Sequence, residues 1–190
     1  MNGLRIGTRA VVLVEGTSDQ RALAALALRR GRDLRAEGVA IVAMGGATNI
    51  AAYLRQLAAR DDSLRLAGLC DAAEEGAFRR GLERAGLGED LDRGDMERLG
   101  FFVCDADLED ELIRCLGADT VERILAAEGE LGSFRTFQKQ PAQRGRPVQA
   151  QLRRFLGTKQ GRKIRYGTLL VEALDLADVP RPLDGVLGHV

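Results

Sequence analysis

The 190-residue sequence has few of the side chains on which several common kinds of site depend. It has no Trp, and aromatic residues make up only 4% of it, which argues against the base-stacking surfaces of many single-strand-binding proteins. Its one histidine, His189, lies next to the C-terminus. A histidine-based metal site or a Ser-His-Asp triad therefore has almost no residues from which to form.

Cysteine and long apolar runs are also scarce. Of the three cysteines, Cys70 and Cys104 lie inside apolar runs, and none shows the C-x-x-C spacing. We therefore expect small core side chains rather than a disulfide framework or a zinc site. No run approaches the ~18 apolar residues of a membrane-spanning helix, and no secretory signal pattern is present. These absences predict a cytoplasmic protein without a membrane segment.

Charge is balanced overall but unevenly distributed. The chain has 28 basic and 28 acidic residues, so its net charge indicates no partner. Acids dominate residues 105–130, whereas residues 135–165 contain no acid and ten basic residues: Arg135, Lys139, Arg144, Arg146, Arg153, Arg154, Lys159, Arg162, Lys163 and Arg165. A basic segment beside an acidic one suits a polyanionic substrate. A solvated, internally neutralised surface is the alternative.

Four short apolar runs in the first part of the chain are typical of buried parallel strands. They cover residues 10–14, 39–44, 64–70 and 100–104. Helical patterns follow them, with predicted starts at Ser18 or Asp19, at Thr48 or Asn49, at residue 72 and at Asp107. The alternation predicts an α/β fold with a doubly wound parallel four-stranded sheet and right-handed crossovers.

The last third of the chain is predicted to be helical. Apolar stripes indicate helices at residues 121–127, 148–156 and 164–174. Glycines at residues 157–161 predict a break, and Pro180 and Pro182 are expected to end the pattern. The stripes argue against disorder, so we expect a helical appendage packed against the sheet.

Three of the four predicted strands lead into acidic residues. Glu15 and Asp19 follow the first strand, Asp71 follows the third, and residues 107–111 follow the fourth. The carboxyl ends of parallel strands share one edge of a sheet, where open α/β folds bind ligands. Carboxylates that converge there repel one another unless a cation lies between them. Mg²⁺ or Mn²⁺ is the simplest such cation.

Helix capping accounts for some of these acids and leaves others unexplained. Asp19 suits a first helical turn, and Asp107 with Asp110 suits a cap. Acids in a first turn are equally ordinary for Glu74 and Glu75. Capping does not explain Glu15 and Asp71 directly after buried strands, or Glu109 and Glu111 beyond the cap.

Two further segments have both a functional and an ordinary interpretation. Gly45-Gly46 after the second strand either offers backbone N–H groups to a phosphate or forms a plain turn. Lys159 and Lys163 flank Gly161 in a segment that we expect to be flexible. One of these lysines could neutralise a phosphate in a transition state, and ordinary surface lysines are the alternative.

Taken in order, these motifs resemble the TOPRIM fold of topoisomerases, primases and small nucleases. More narrowly, they resemble the TOPRIM part of the OLD-family (overcoming lysogenization defect) nucleases. The resemblance rests on five segments: Val-Glu-Gly-Thr-Ser-Asp at 14–19, Gly-Gly-Ala-Thr-Asn-Ile at 45–50, Gly-Leu-Cys-Asp at 68–71, Asp-Leu-Glu-Asp-Glu-Leu at 107–112, and the basic stretch at 159–165 before Tyr166.

The resemblance implies a Mg²⁺- or Mn²⁺-dependent endonuclease that hydrolyses DNA with two metal ions. By that reading Glu15, Asp19 and Asp71 hold one ion. The second ion is held by Glu109, together with Asp107, Glu111 or Glu74. Lys159 or Lys163 neutralises the scissile phosphate, so that these lysines, Glu15 and Asp71 are the expected catalytic residues. Residues 1–130 would form the TOPRIM catalytic domain, and 131–190 the basic helical appendage.

The chain departs from the family pattern in two ways. TOPRIM proteins usually carry Asp-x-Asp after the third strand, whereas here Ala73 replaces the second acid. Either Glu74 or Glu75 substitutes for it, or one metal site is weakened. OLD proteins also usually carry an ABC-type ATPase domain, and this sequence has no G-x-x-x-x-G-K-[ST] motif. We therefore expect it to act alone or with a separate ATPase partner.

Two alternatives remain open at this point. One is a non-catalytic TOPRIM module that binds nucleic acid or a partner ATPase. The missing second acid at Ala73 is the reason to consider it. The other is cleavage of RNA rather than DNA, since phosphate contacts do not distinguish the two. The sequence is compatible with an oligomer and does not predict one.

Overall fold

The computed structural model describes residues 7–61 and 63–190. Its centre is a parallel sheet of four strands in the order β2-β1-β3-β4. The strands are β1 (Ala10–Val14), β2 (Val39–Ala43), β3 (Arg65–Asp71) and β4 (Phe101–Cys104). Every side chain of β1 is buried, as expected for an apolar central strand covered on both faces. The predicted doubly wound α/β fold is confirmed.

Ten helices surround this sheet in the described part of the chain: α1 (Thr17–Arg29), α2 (Ile50–Arg60), α3 (Glu75–Arg84), α4 (Arg93–Arg98), α5 (Leu108–Leu116), α6 (Ala118–Ala127), α7 (Leu131–Gln138), α8 (Val148–Leu156), α9 (Gln160–Ala173) and α10 (Arg181–His189). Short 3₁₀ turns precede α2, α3 and α8. None of these helices is long and apolar enough to cross a membrane.

The helices divide into two layers, each with its own hydrophobic core. On one face α2, α3 and α4 pack around Phe78, Phe101 and Met96. On the other face α1 and α5 share a larger core with the C-terminal helices, and Tyr166 is fully buried within it. The C-terminal helices therefore pack on the sheet as predicted. The division at residue 130 stays a prediction.

Several predicted helix boundaries were wrong. Helix α9 begins at Gln160 rather than at residue 164, so Gly161 and Lys163 lie in a helix and not in a flexible segment. Pro180 does not end the helical pattern, because it is the N-cap residue of α10. Pro182 lies in the first turn of α10, where a backbone N–H would have no partner within the helix. Helices α4, α7 and α10 were not predicted at all.

Candidate metal centre

The chain order of the sheet creates a switch point between its two central strands. From β1 the chain passes to β2 on one side and then to β3 on the other. In such sheets the crevice for a ligand lies at the carboxyl ends of these two strands. Glu15 follows β1 directly, and Asp71 is the last residue of β3, so both acids lie at this crevice as predicted from the sequence.

Asp19 reaches the same crevice from the first turn of α1. Helix α1 begins at Thr17 with Gly16 as its N-cap, so the prediction of Ser18 or Asp19 as the cap was wrong. The Asp19 carboxylate instead accepts a hydrogen bond from the Gly16 N–H at 2.9 Å. This bond fixes a carboxylate that is only 8% exposed.

Helix α5 adds two acids from the neighbouring strand end. Asp107 caps α5 as predicted, since its Oδ1 accepts the Asp110 N–H at 2.8 Å. Its other oxygen, Oδ2, lies 2.6 Å from Arg153 Nε. Glu109, two residues after the N-cap, is 2% exposed, and its Oε2 lies 3.1 Å from Lys163 Nζ.

Lys163 comes from α9, which packs closely along α1. At Gly167 an added Cβ atom would lie 3.7 Å from the Ser18 carbonyl oxygen, so the two backbones approach each other there. Lys163 is four residues earlier and therefore on the same face of α9, towards the start of α1. The packing of two helices thus delivers one lysine to the carboxylates.

Electrostatic repulsion and burial perturb the acids of this cluster. Burial, with the charges of Asp19 and Asp107, raises the pKa of Asp71 to about 7. Burial likewise raises the pKa of Glu109 to about 7, although Lys163 opposes the shift. The pKa of Glu15 is raised by burial, by Glu74 and by Asp19. Strongly raised carboxylate pKa values in a crevice are typical of functional sites.

The lysine is perturbed in the complementary sense. Burial alone would lower the pKa of Lys163, but the charges of Glu109, Asp19 and Asp71 outweigh it and raise that pKa. Lys163 therefore remains charged within a group of five acids that it and Arg153 together cannot neutralise. The surplus negative charge is the central electrostatic feature of this crevice.

Comparison with known proteins shows what part of this chain is similar to. Residues 8–68 match the family described as "Overcoming lysogenization defect protein-like, TOPRIM domain". This part of the chain is therefore similar to the TOPRIM domain of OLD-like proteins. The match includes Glu15 and Asp19 and ends before Asp71. No curated protein matches the sequence.

Solved structures of OLD proteins have the same fold over nearly the whole chain. The C-terminal region of the Xanthomonas campestris pv. campestris OLD protein is 23% identical, with a TM-score of 0.68, over 97% of this chain and 95% of that one. The C-terminal region of the Burkholderia pseudomallei OLD protein is 20% identical, with a TM-score of 0.69, over 96% of each chain. The TOPRIM fold predicted from the motifs is confirmed.

Two predicted site residues lie outside the carboxylate cluster. Glu111 accepts the Asp105 N–H at 2.8 Å and pairs with Arg114 at 2.7 Å. Lys159 is the exposed N-cap residue of α9, and Lys163 is the lysine that reaches the acids. Neither Glu111 nor Lys159 has a described contact with the cluster.

The two acids that follow Ala73, Glu74 and Glu75, have different surroundings. Glu74 lies near enough to Glu15 for its charge to raise the Glu15 pKa. Glu75 instead pairs with Arg93 at 2.5 Å. Ala73 itself is exposed in the 3₁₀ turn after β3. Glu74 is therefore the better substitute of the two acids.

The acids at the crevice offer the donor atoms that suit a hard divalent cation, although their present spacing does not suit one. Among residues 7–61 and 63–190, no three Asp, Glu, His or Cys side chains already stand close enough to hold a metal ion. All the donors are carboxylate oxygens, the kind that Mg²⁺ and Mn²⁺ prefer. Moreover, Glu109 Oε1 is buried and has no hydrogen-bond partner among the described residues. A buried carboxylate oxygen without a donor suits a metal ligand.

Sequence reasoning missed one residue that touches the site. Arg153 is in α8, 46 residues from Asp107 in the chain, and its ion pair with that acid depends on how α8 packs beside α5. The only signal in the sequence was the absence of acids from residues 135–165, which leaves their basic side chains to find partners elsewhere.

Proposed function

We propose that this chain is a Mg²⁺- or Mn²⁺-dependent endonuclease that hydrolyses DNA phosphodiester bonds. The observation that carries the proposal is the group of acids at the switch point, where burial and mutual repulsion raise carboxylate pKa values around a single lysine. Such a surplus of negative charge is costly in the protein alone. It is relieved when divalent cations bind.

The acids divide naturally between two ions. Glu15, Asp19 and Asp71 surround the switch point and would hold the first ion. Glu109 would hold the second, with Asp107 or Glu74. When bound, such ions lower the pKa of a water molecule and neutralise phosphate oxygens. Asp71 and Glu109 must lose their protons for the site to form, because ligands bind metals in the deprotonated state.

Lys163 has the chemistry to act on the substrate. It stays protonated, and its Nζ atom lies 3.1 Å from Glu109 Oε2, within the cluster. A bound cation would take over Glu109, which would release the Lys163 ammonium to contact a non-bridging phosphate oxygen. There it would stabilise the extra negative charge of the transition state.

Supercoiled plasmid provides the direct test. We expect nicking or linearisation with Mg²⁺ or Mn²⁺, and none with EDTA. Glu15→Gln keeps the shape of the side chain and removes the charge, so it should abolish cleavage. Glu172→Gln, an exposed acid on α9, is the matched control and should cleave like the wild type. Cleavage by Glu15→Gln at the wild-type rate would refute the assignment.

The nature of the polynucleotide is part of the same proposal. The site acids and Lys163 would contact phosphates, which DNA and RNA share. Parallel reactions with plasmid and with a structured RNA, under the same metal conditions, distinguish the two substrates. Cleavage of RNA alone would replace DNA by RNA in the proposal and leave the site unchanged.

A second function is favoured by Ala73, which stands where the second acid of the family pattern is usual. By this alternative the chain is a non-catalytic TOPRIM module that binds nucleic acid or a separate ABC-type ATPase. It predicts oligonucleotide binding with no metal-dependent turnover. Ala73→Asp should then raise the affinity for Mg²⁺, measured by calorimetry. Turnover by the wild-type protein would exclude this alternative.

A further inference from the structure

The basic segment of residues 135–165 is only half neutralised by the rest of the protein. Five of its ten basic residues pair with acids outside it: Arg135, Arg153, Arg162, Lys163 and Arg165. The other five have no ion pair among the described residues: Lys139, Arg144, Arg146, Arg154 and Lys159. The surplus positive charge therefore belongs to a small number of identifiable side chains.

Two of these unpaired residues, Arg146 and Arg154, line a cavity between α5 and α8. The cavity has a volume of about 930 Å³ and is also lined by Arg153, Asp107 and Asp110. We call it the α5/α8 groove. Its two acids are already paired, Asp107 with Arg153 and Asp110 with Arg114. The unneutralised charge in the groove is therefore positive.

The start of α8 adds to this positive potential. Pro147 and Gln149 line the groove at the N-terminus of α8, where no side chain caps the helix and no acid occupies the first turn. Free N–H groups and the helix dipole favour anions at such an end. No aromatic side chain lines the groove, so its contacts suit a charged backbone rather than stacked bases.

The groove is joined to the carboxylate cluster through Asp107. This acid lines the groove, and its charge also raises the pKa values of Asp71 and Glu109. Arg153 Nε lies 2.6 Å from Asp107 Oδ2, and the Arg153 side chain is 43% exposed. A guanidinium so placed can turn to an incoming phosphate, which it binds as well as a carboxylate.

We propose that the α5/α8 groove binds the phosphodiester backbone of a polynucleotide, and that Arg153 exchanges Asp107 for a backbone phosphate when it does so. The exchange frees Asp107 to act as a cation ligand. Binding of the strand and completion of the metal centre are thereby linked. The inference rests on the proposed function, because it takes a polynucleotide as the substrate.

The groove is tested by binding alone, in EDTA, with fluorescent DNA and RNA oligonucleotides and anisotropy as the readout. R146A/R154A should weaken the binding of both about tenfold and reduce the salt dependence by about one unit of slope for each arginine. The matched control is R55A/R84A, two exposed arginines on the opposite face of the sheet, which should bind like the wild type. Equal binding by R146A/R154A and the wild type would overturn the groove assignment.

An acidic protein segment is the competing occupant, and a fluorescent polyaspartate peptide tests it. Loss of polyaspartate binding by R146A/R154A, with oligonucleotide binding unchanged, would assign the groove to a protein partner and overturn the proposal. These results do not depend on cleavage. If the plasmid assay finds no nuclease activity while R146A/R154A still loses the oligonucleotide, the groove stands and the proposed catalysis fails.

The exchange itself is tested with R153M, because it predicts opposite shifts in two affinities. Without nucleic acid, R153M should bind Mg²⁺ up to about fivefold more tightly, measured by calorimetry, since Asp107 loses its competing partner. The same variant should bind the oligonucleotide more weakly. Arg154 is the neighbouring groove residue without an acidic partner. R154M should also bind the oligonucleotide more weakly, but its Mg²⁺ affinity should rise by less than about half as much as that of R153M. An unchanged Mg²⁺ affinity in R153M would overturn the exchange, and misfolding cannot imitate opposite shifts.

Discussion

Replacing Glu109 by Gln should make the metal-free protein more stable, although Glu109 is proposed as a functional residue. Its carboxylate is 2% exposed, and one of its oxygens has no described hydrogen-bond partner. Its pKa is raised from 4.5 to about 7 by burial, even with Lys163 alongside. A shift of this size corresponds to about 3 kcal/mol of free energy that the folded state loses by keeping the group ionised. Because the variant also loses the ion pair with Lys163, we expect Glu109→Gln to raise the free energy of unfolding by only about 1–3 kcal/mol.

The sign of this effect fixes its pH dependence. The folded pKa lies above the unfolded one, so the penalty is fully present above about pH 7. It decreases as the pH falls and vanishes below about 4.5, where the group is protonated in both states. The stability advantage of Glu109→Gln over the wild type should therefore be large at pH 8 and nearly absent at pH 4.

Urea unfolding in EDTA at these two pH values is the assay. The slope of the unfolding free energy against denaturant should be the same for both proteins, so that the midpoints alone report the difference. Glu172→Gln, an exposed acid, serves as the control and should be neutral at both pH values. A variant less stable than the wild type at pH 8 would show that the Lys163 pair outweighs the cost of burial, and the reasoning would be wrong.

Three further predictions follow from the same site and its surroundings. Mg²⁺ at a hundred times its dissociation constant should stabilise the wild type by about 2.7 kcal/mol in thermal unfolding, and Glu15→Gln by much less; equal shifts in both would argue against Glu15 as a ligand. Mg²⁺ affinity, measured by calorimetry, should fall as the pH drops below about 7, because Asp71 and Glu109 then hold protons that the cation must displace; a pH-independent affinity would contradict this. Tyr166→Phe should be neutral or stabilising by up to about 1 kcal/mol in urea unfolding, because the buried Tyr166 hydroxyl has no described hydrogen-bond partner; a marked loss of stability would reveal a bond to that hydroxyl.

The strands and the acids that follow them could be predicted because their signals are local. A short run such as Ala10–Val14 has few alternatives to a buried strand, and a charge directly after it must lie at the sheet edge. Glu15 and Asp71 were placed correctly for that reason. The order β2-β1-β3-β4, which puts these two strands side by side, was not predicted, because the runs alone do not determine which strands are neighbours.

The start of α9 could not be predicted because tertiary packing overrides a local preference. Gly161 costs a helix about 1 kcal/mol relative to Ala, and a Cβ atom added there would meet nothing within 4 Å, so packing does not require a glycine. The helix nevertheless extends to Gln160, and further along it Tyr166 and Leu170 are fully buried in the core shared with α1. Packing at one end of α9 therefore offsets a poor propensity at the other.

Contacts across the chain were beyond sequence reasoning altogether. Lys163 reaches Glu109 from another helix, and Arg153 reaches Asp107 across 46 residues. Neither pairing has a spacing rule, because each depends on how two helices lie against each other. The sequence could indicate only that a basic segment needed acidic partners, and not which lysine or arginine would find which acid.

The position of Lys163 on α9 has a consequence for the order in which the protein folds and is loaded with metal. Many small metalloproteins have no stable fold until their ion arrives, because only the ion offsets the repulsion among its ligands. Here an ammonium group built into the core-packed α9 acts as an internal counterion, 3.1 Å from the most buried acid. The chain could thus fold before any of the proposed cations bind, and chelators should leave it folded.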